Sequence, residues 1–290
     1  MENKYISMIE NYLPSLLPSE DCYEKPVIES MKYSLLAPGK RIRPTLLLAF
    51  CEACGGEIEN ALPYACAVEM VHAYSLIHDD LPCLDNDDLR RGRPSNHIVF
   101  GEDIALLAGD ALQTLAFESM LCEESLSKTG LSGAKAAGIL ASAIGTGGMV
   151  GGQTIDVITE GKSPSLDIIL DMYSKKTGRL IKAPCVMGCV LANDDDKTIR
   201  AAEVYAENIG LAFQIVDDIL DIVSDTAVLG KPVGSDAENE KVNYVTLFGI
   251  EESKKKVREL TQSAVDALDS FEHNTEFLCS MAKELASRIY

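Results

Sequence analysis

Apolar residues recur at helical spacing along this chain from end to end, and alternation of period two is nearly absent. Most β architectures are excluded on that ground. The periodic segments cover 1–17, 22–36, 44–54, 60–81, 104–125, 133–145, 165–191, 196–225, 243–248, 254–270 and 274–288. Their ends coincide with breakers such as Ala37-Pro38-Gly39, Gly55-Gly56, Pro82 and Gly147-Gly148. No internal repeat and no Pro/Ser-rich linker divides the chain. An all-α, single-domain bundle of ten or more helices over residues 1–290 is expected. With 47% apolar residues the chain is ample to bury one continuous core.

Charge narrows the function. The formal balance of −19 argues against a nucleic-acid partner, because phosphate backbones need a basic surface. An anionic substrate then requires the few cations to be concentrated at one place. Scattered acids such as Asp194-Asp195-Asp196 and Glu251-Glu252 read as a solvated face. Nine cysteines occur, but Cys51-Glu52-Ala53-Cys54 has no second pair at zinc spacing, so they read as buried helical thiols. The first ten residues lack an apolar signal core, and no apolar run reaches about 18 residues. A cytoplasmic protein without a membrane span is the expectation.

Two aspartate clusters stand out. His78-Asp79-Asp80-Leu81-Pro82-Cys83-Leu84-Asp85 sets a carboxylate pair at the end of an apolar helix, with a third acid six positions on. That offset is about 120° off-face in an unbroken helix, so Pro82 must break it for Asp85 to fold back. Asp87 and Asp88 read as loop or helix-start acids. In the second cluster, Asp217-Asp218-Ile219-Leu220-Asp221, Asp217 and Asp221 lie about 40° apart on one helical face. Acids beside Ile215, Val216, Ile219 and Leu220 repel one another unless they shift their pKa or bind cations. Hard carboxylate oxygens suit Mg²⁺, which completes its shell with water and phosphate.

Cations gather nearby. Gly39-Lys40-Arg41-Ile42-Arg43-Pro44 opens a helix, and Arg90-Arg91 follows the first cluster. Helix N-termini and guanidinium forks both suit phosphate, although pairing with surface acids is the alternative. His72 lies two turns before Asp79 on nearly the same face, either as a phosphate donor or as a satisfied core residue. His78 adjoins the pair and is expected to orient it.

Over nearly its whole length the chain resembles the all-helical trans-isoprenyl diphosphate synthases, most closely the bacterial farnesyl diphosphate type, with the geranylgeranyl type near it. The resemblance rests on 39–44, 69–92, Gly109-Asp110-Ala111-Leu112, Gly151-Gly152-Gln153, Lys176-Thr177-Gly178, 213–221 and Leu229-Gly230-Lys231. It implies helices around a central cavity in a homodimer. It also implies that Asp79, Asp80, Asp85, Asp217, Asp218 and Asp221 hold about three Mg²⁺ ions, with Mn²⁺ as a substitute. Lys40, Arg43, His72 and Arg91 would bind isopentenyl diphosphate. Arg90, Lys176, Lys231 and Lys241 would bind the allylic diphosphate, dimethylallyl or geranyl, with Thr177 and Gln214 at the reacting carbon. Tyr74 and Ser75 would set product length; an aromatic there, with Pro82-Cys83, goes with farnesyl products. Ser235 stands where many relatives carry Lys.

The implied reaction is ionisation, alkylation and proton loss, giving farnesyl diphosphate, or alternatively geranylgeranyl diphosphate. A terpene cyclase is the rival within the helical class, yet its second motif mixes Asn, Ser and Glu. A non-catalytic partner subunit is the other rival, and it has no need of both aspartate sets.

Overall fold

A computed structural model describes residues 4–193, 195–229 and 242–287, except the side chains at 221 and 223–229. Fourteen α-helices occur among them: α1 (Lys4–Leu16), α2 (Lys25–Leu35), α3 (Ile42–Ala53), α4 (Ile58–Asp79), α5 (Asn96–Phe100), α6 (Glu102–Leu121), α7 (Glu123–Ile144), α8 (Met149–Thr159), α9 (Leu166–Tyr173), α10 (Arg179–Leu191), α11 (Asp196–Leu229), α12 (Tyr244–Phe248), α13 (Ile250–Ala267) and α14 (Glu276–Ser287). The fold is all-α, as the periodicity requires. One hairpin of two-residue strands, β1 (Leu89–Arg90) and β2 (Arg93–Pro94), was not foreseen.

Helix α4 is apolar all round, and a helix of that kind belongs in the centre of a bundle. It touches α1, α2, α3, α6, α7 and α10, and every residue from Ala61 to Val71 is buried. The single charge in that stretch, Glu69, pairs with buried Arg41 at 2.6 Å. The main core gathers around α4, including Leu47, Phe50, Tyr64, Met70, Leu112 and Tyr205. Helix α11 spans two cores. Its first half joins the main one through Ala202, Tyr205 and Ile209, and its second half packs Ile215, Val216 and Ile219 against Val257 and Leu260 of α13.

Helix α6 is long and apolar enough, by length and composition alone, to cross a membrane. Its small side chains Ala105, Ala108 and Ala116 are buried, and it packs along α4.

Between α9 and α10 the helix does not stop. Ser174–Gly178 forms a π-helical turn flanked by helical backbone on both sides. Such turns cost hydrogen-bond geometry and cluster at functional sites. Helix α8 approaches this turn so closely that a Cβ on Gly152 would lie 2.1 Å from the Lys176 backbone nitrogen. Backbone cannot move aside as a side-chain tip can. Gly152→Ala should therefore lower stability by roughly 1–3 kcal/mol, read as a reduced midpoint in urea. An unchanged midpoint would mean that α8 and the turn are free to separate.

Candidate active site

Helix α4 delivers the first aspartate pair. The helix ends at Asp79, and the following turn reverses so that the Asp85 N–H donates to the Asp79 carbonyl at 2.9 Å. Asn86 takes a left-handed φ of 52° and donates back to Leu81 at 3.2 Å. Asp85 does fold back, as Pro82 requires. Asp80 is only 2% exposed and pairs with Arg90, whose Nε donates to Oδ1 at 2.9 Å. Asp87 and Asp88 are exposed on the loop, and Asp87 adds a second partner for Arg90 at 3.1 Å.

The hairpin carries the arginine pair. Arg91 and Gly92 both have positive φ, 54° and 74°, which is the two-residue turn that matches strand twist. Arg90 ends β1 and turns to Asp80, while Arg91, in the turn, reaches the Pro38 carbonyl at 3.1 Å. Asn96 clamps the hairpin's far end to α2, exchanging hydrogen bonds with Ser30 and Ser34.

Lys40 is exposed, whereas Arg43 enters the cavity and donates to His72 Nε2 at 3.4 Å. Burial, then Arg43, Arg91, Arg41 and Arg90, holds the imidazole well below its ordinary pKa. His72 is therefore neutral, with Nδ1–H left to donate. His78 departs from expectation: its ring donates to the Leu106 carbonyl on α6 at 3.1 Å and packs against Gly109, so it does not orient the aspartates.

The π turn supplies Lys176 and Thr177. Lys176 bonds Asp156 of α8 at 2.6 Å, an acid the sequence reading missed although it stands alone in an apolar segment. Opposite, Gln214, Asp217 and Asp221 share a helical stripe on α11 at i, i+3 and i+7. Asp217 is half-buried and acts on the Arg43 charge. Asp218 is buried and accepts from Tyr173 at 2.6 Å. The Asp221 side chain, Lys231, Ser235 and Lys241 lie outside the described residues.

A cavity of about 500 Å³ joins the α3 and α4 groups to the π turn, and no described α11 residue is on its lining. Arg43, His72, Asp79, Lys176 and Thr177 line it beside Met149, Val150, Val157 and Leu180. Tyr74 and Ser75 lie on its wall, and the buried Tyr74 hydroxyl has no hydrogen-bond partner. Leu84, Gln153 and Val157 join it to a second cavity of about 600 Å³ bounded by Asp85, Asp156 and Lys162.

The donor set suits Mg²⁺. Burial pushes the Asp79 carboxyl up to about 6; Lys176 and Arg90 oppose this, while Asp85 and Asp80 reinforce it. A divalent cation relieves that penalty. Among the described residues no three His, Cys, Asp or Glu side chains form a metal site unaided. Mg²⁺ needs no such cage, since one or two carboxylates suffice when water and phosphate complete the shell.

The profile of the polyprenyl synthetase family matches residues 24–278. The chain belongs to this family. It is accordingly a prenyltransferase, and family members generally use Mg²⁺. It is 45% identical to a geranylgeranyl diphosphate synthase of Cyanophora paradoxa, covering 90% of this chain and 87% of that one. It is 43% identical to a dimethylallyltranstransferase of Fischerella ambigua, covering 92% and 78%. An FPP/GFPP synthase of Zymomonas mobilis superposes with a TM-score of 0.88 at 33% identity, covering 98% and 96%. A geranyltransferase of Legionella pneumophila gives 0.86 at 33% identity, covering 98% and 95%. The curated relatives' names match the geranylgeranyl alternative better than the farnesyl expectation. Two related Arabidopsis thaliana proteins are chloroplastic, so kinship does not support the cytoplasmic expectation.

The raised Asp79 value carries a stability consequence. Folded Asp79 holds its proton to about pH 6, while the unfolded carboxyl titrates near 4. Ionised Asp79 therefore destabilises the metal-free fold above pH 6, on the order of 3 kcal/mol, and the penalty fades as pH falls towards 4. Asp79→Asn should raise the melting temperature by several degrees at pH 7.5 without Mg²⁺, and by much less at pH 4. Equal shifts at both pH values would contradict this.

Proposed function

We propose that this chain joins isopentenyl diphosphate to an allylic diphosphate, dimethylallyl or geranyl, releasing diphosphate and lengthening an all-trans prenyl chain. One observation carries the reading: a single cavity brings Arg43 and neutral His72, the desolvated Asp79 and the Lys176–Thr177 turn together on a mainly apolar wall.

Lys40, Arg43, His72 and Arg91 would hold the isopentenyl diphosphate, whose double bond is the nucleophile. Arg90, Lys176, Lys231 and Lys241 would hold the allylic diphosphate. Asp79, Asp85, Asp217 and Asp221 are the proposed carboxylate ligands; Asp80 meets Arg90 and Asp218 meets Tyr173. When bound, Mg²⁺ would neutralise charge developing on the leaving diphosphate oxygens. The Thr177 hydroxyl and the Gln214 carbonyl would face the allylic cation as fixed dipoles. Met149, Val150 and Leu180 keep water from it. The proton lost after alkylation passes to the departing diphosphate, since Asp79 is given to the metal and His72 Nε2 already accepts from Arg43.

The relatives' names support geranylgeranyl diphosphate as the product. The second reading, farnesyl diphosphate, has Tyr74 behind it. Five positions before Asp79, about 7.5 Å deeper along α4, its ring packs edge-on against His78 and narrows the apolar end of the cavity. Assembly as a homodimer is part of the proposal. Ile98, Val99, Leu106 and Leu107 expose 46–52% of their surface on α5 and α6, and such a patch calls for a cover.

Asp79→Ala and Asp217→Ala should each lower turnover by orders of magnitude with unchanged far-ultraviolet circular dichroism; near-normal turnover would refute the reading. Chromatography of the wild-type product should show twenty carbons. A fifteen-carbon product that Tyr74→Ala lengthens would instead establish the second reading.

A further inference from the structure

Adjacent residues on an α-helix point 100° apart, so Asp217 and Asp218 cannot face the same way. Asp218 is 8% exposed. Its Oδ2 accepts the Tyr173 hydroxyl at 2.6 Å and the Tyr244 backbone N–H at 3.3 Å. Tyr173 is itself buried, at the end of α9, three residues before Lys176 and four before Thr177. Tyr244 opens α12. One carboxylate oxygen thus ties together the helix leading into the π turn, the helix of the second aspartate motif and the start of α12.

The bond fixes a rotation. A shift of α11 about its axis would carry Asp218 away from α9 and turn Gln214 and Asp217 together, because all three are rigidly spaced on one helix. Holding Asp218 on Tyr173 therefore sets the direction of Asp217 relative to the turn that carries Lys176 and Thr177. The Tyr173 hydroxyl keeps its proton, burial and the neighbouring Asp218 both raising its pKa, so it is a permanent donor.

Resting on the proposed function, we infer that Asp218 is a positioning residue rather than a metal ligand, and that Tyr173 is its partner in presenting Asp217 to the metal-bound diphosphate. Tyr173 has no role assigned by motif spacing. The two roles of Asp218 differ chemically. A positioning acceptor needs an oxygen, which an asparagine amide retains; a metal ligand needs the negative charge, which asparagine loses.

The test compares Asp218→Asn, Asp218→Ala, Tyr173→Phe and, as the ligand control, Asp217→Asn. Calorimetry reads Mg²⁺-dependent binding of inorganic diphosphate, and kinetics reads the Mg²⁺ concentration at half-maximal rate and the KM for isopentenyl diphosphate. Asp218→Asn should stay within about threefold of wild type in Mg²⁺ requirement and diphosphate affinity. Asp218→Ala and Tyr173→Phe should weaken both roughly tenfold, the loss of one hydrogen bond to a charged group, with the KM for isopentenyl diphosphate unchanged. Tyr173→Phe keeps the ring and reports even if Asp218→Ala fails to fold. Asp218→Asn as damaging as Asp217→Asn would make Asp218 a ligand and overturn the inference. So would Tyr173→Phe indistinguishable from wild type. Failure of the function itself is separate: wild type would neither turn over nor bind diphosphate with Mg²⁺.

Discussion

Asp80 sits buried at the C-terminal end of α4, where the helix's own carbonyls are already negative, and Arg90 reaches back from the hairpin to pair with it. Taking the Asp80 charge out of water is expensive, so the pair adds little net stability. Removing Arg90 would strand the buried Asp80 charge, at about 3–5 kcal/mol, whereas Arg90 without Asp80 keeps contact with water and with Asp87. The value of the pair is registry. It pins the chain between Leu81 and Arg90 over the end of α4, and that chain carries Asp85 on one side and Arg91 on the other. Glu69 and Arg41 repeat the device one layer deeper, anchoring the loop that presents Lys40 and Arg43. Charge burial thus decides where the mouth of the cavity lies.

The same logic reconciles a strongly acidic protein with an anionic substrate. Most acids are on the surface, where pairs such as Lys128–Glu124 are exposed and contribute little. Around His72, burial and then four arginines keep the imidazole neutral. Around Asp79, burial raises the carboxyl pKa, with Lys176 and Arg90 opposing it and Asp85 and Asp80 adding to it. One end of the cavity therefore suits phosphate directly, and the other suits phosphate through a cation.

Much of this was legible in the residues. Periodicity located most helices, and Pro82 foretold the reversal at Asp85. Helix α8 was missed because it follows the breaker Gly147-Gly148 directly; Gly152 within it is there because two backbones touch. The hairpin escaped notice because its strands are two residues long and its turn is Arg91-Gly92 rather than an Asn-Gly signature. His78 was misread because its direction depends on α6, thirty residues away in sequence. The family resemblance groups Asp218 with its neighbours as a ligand, and only the packing of α9 and α12 reveals its partners.

Titrating an unreactive allylic diphosphate analogue into the wild-type protein, with Mg²⁺ and with a chelator, probes the central claim most directly. Binding should need the metal and should weaken as pH falls below about 6, where Asp79 takes up a proton. Equal affinity in the chelator would show that the arginines and lysines alone hold the diphosphate. The aspartate clusters would then have no part in substrate recognition.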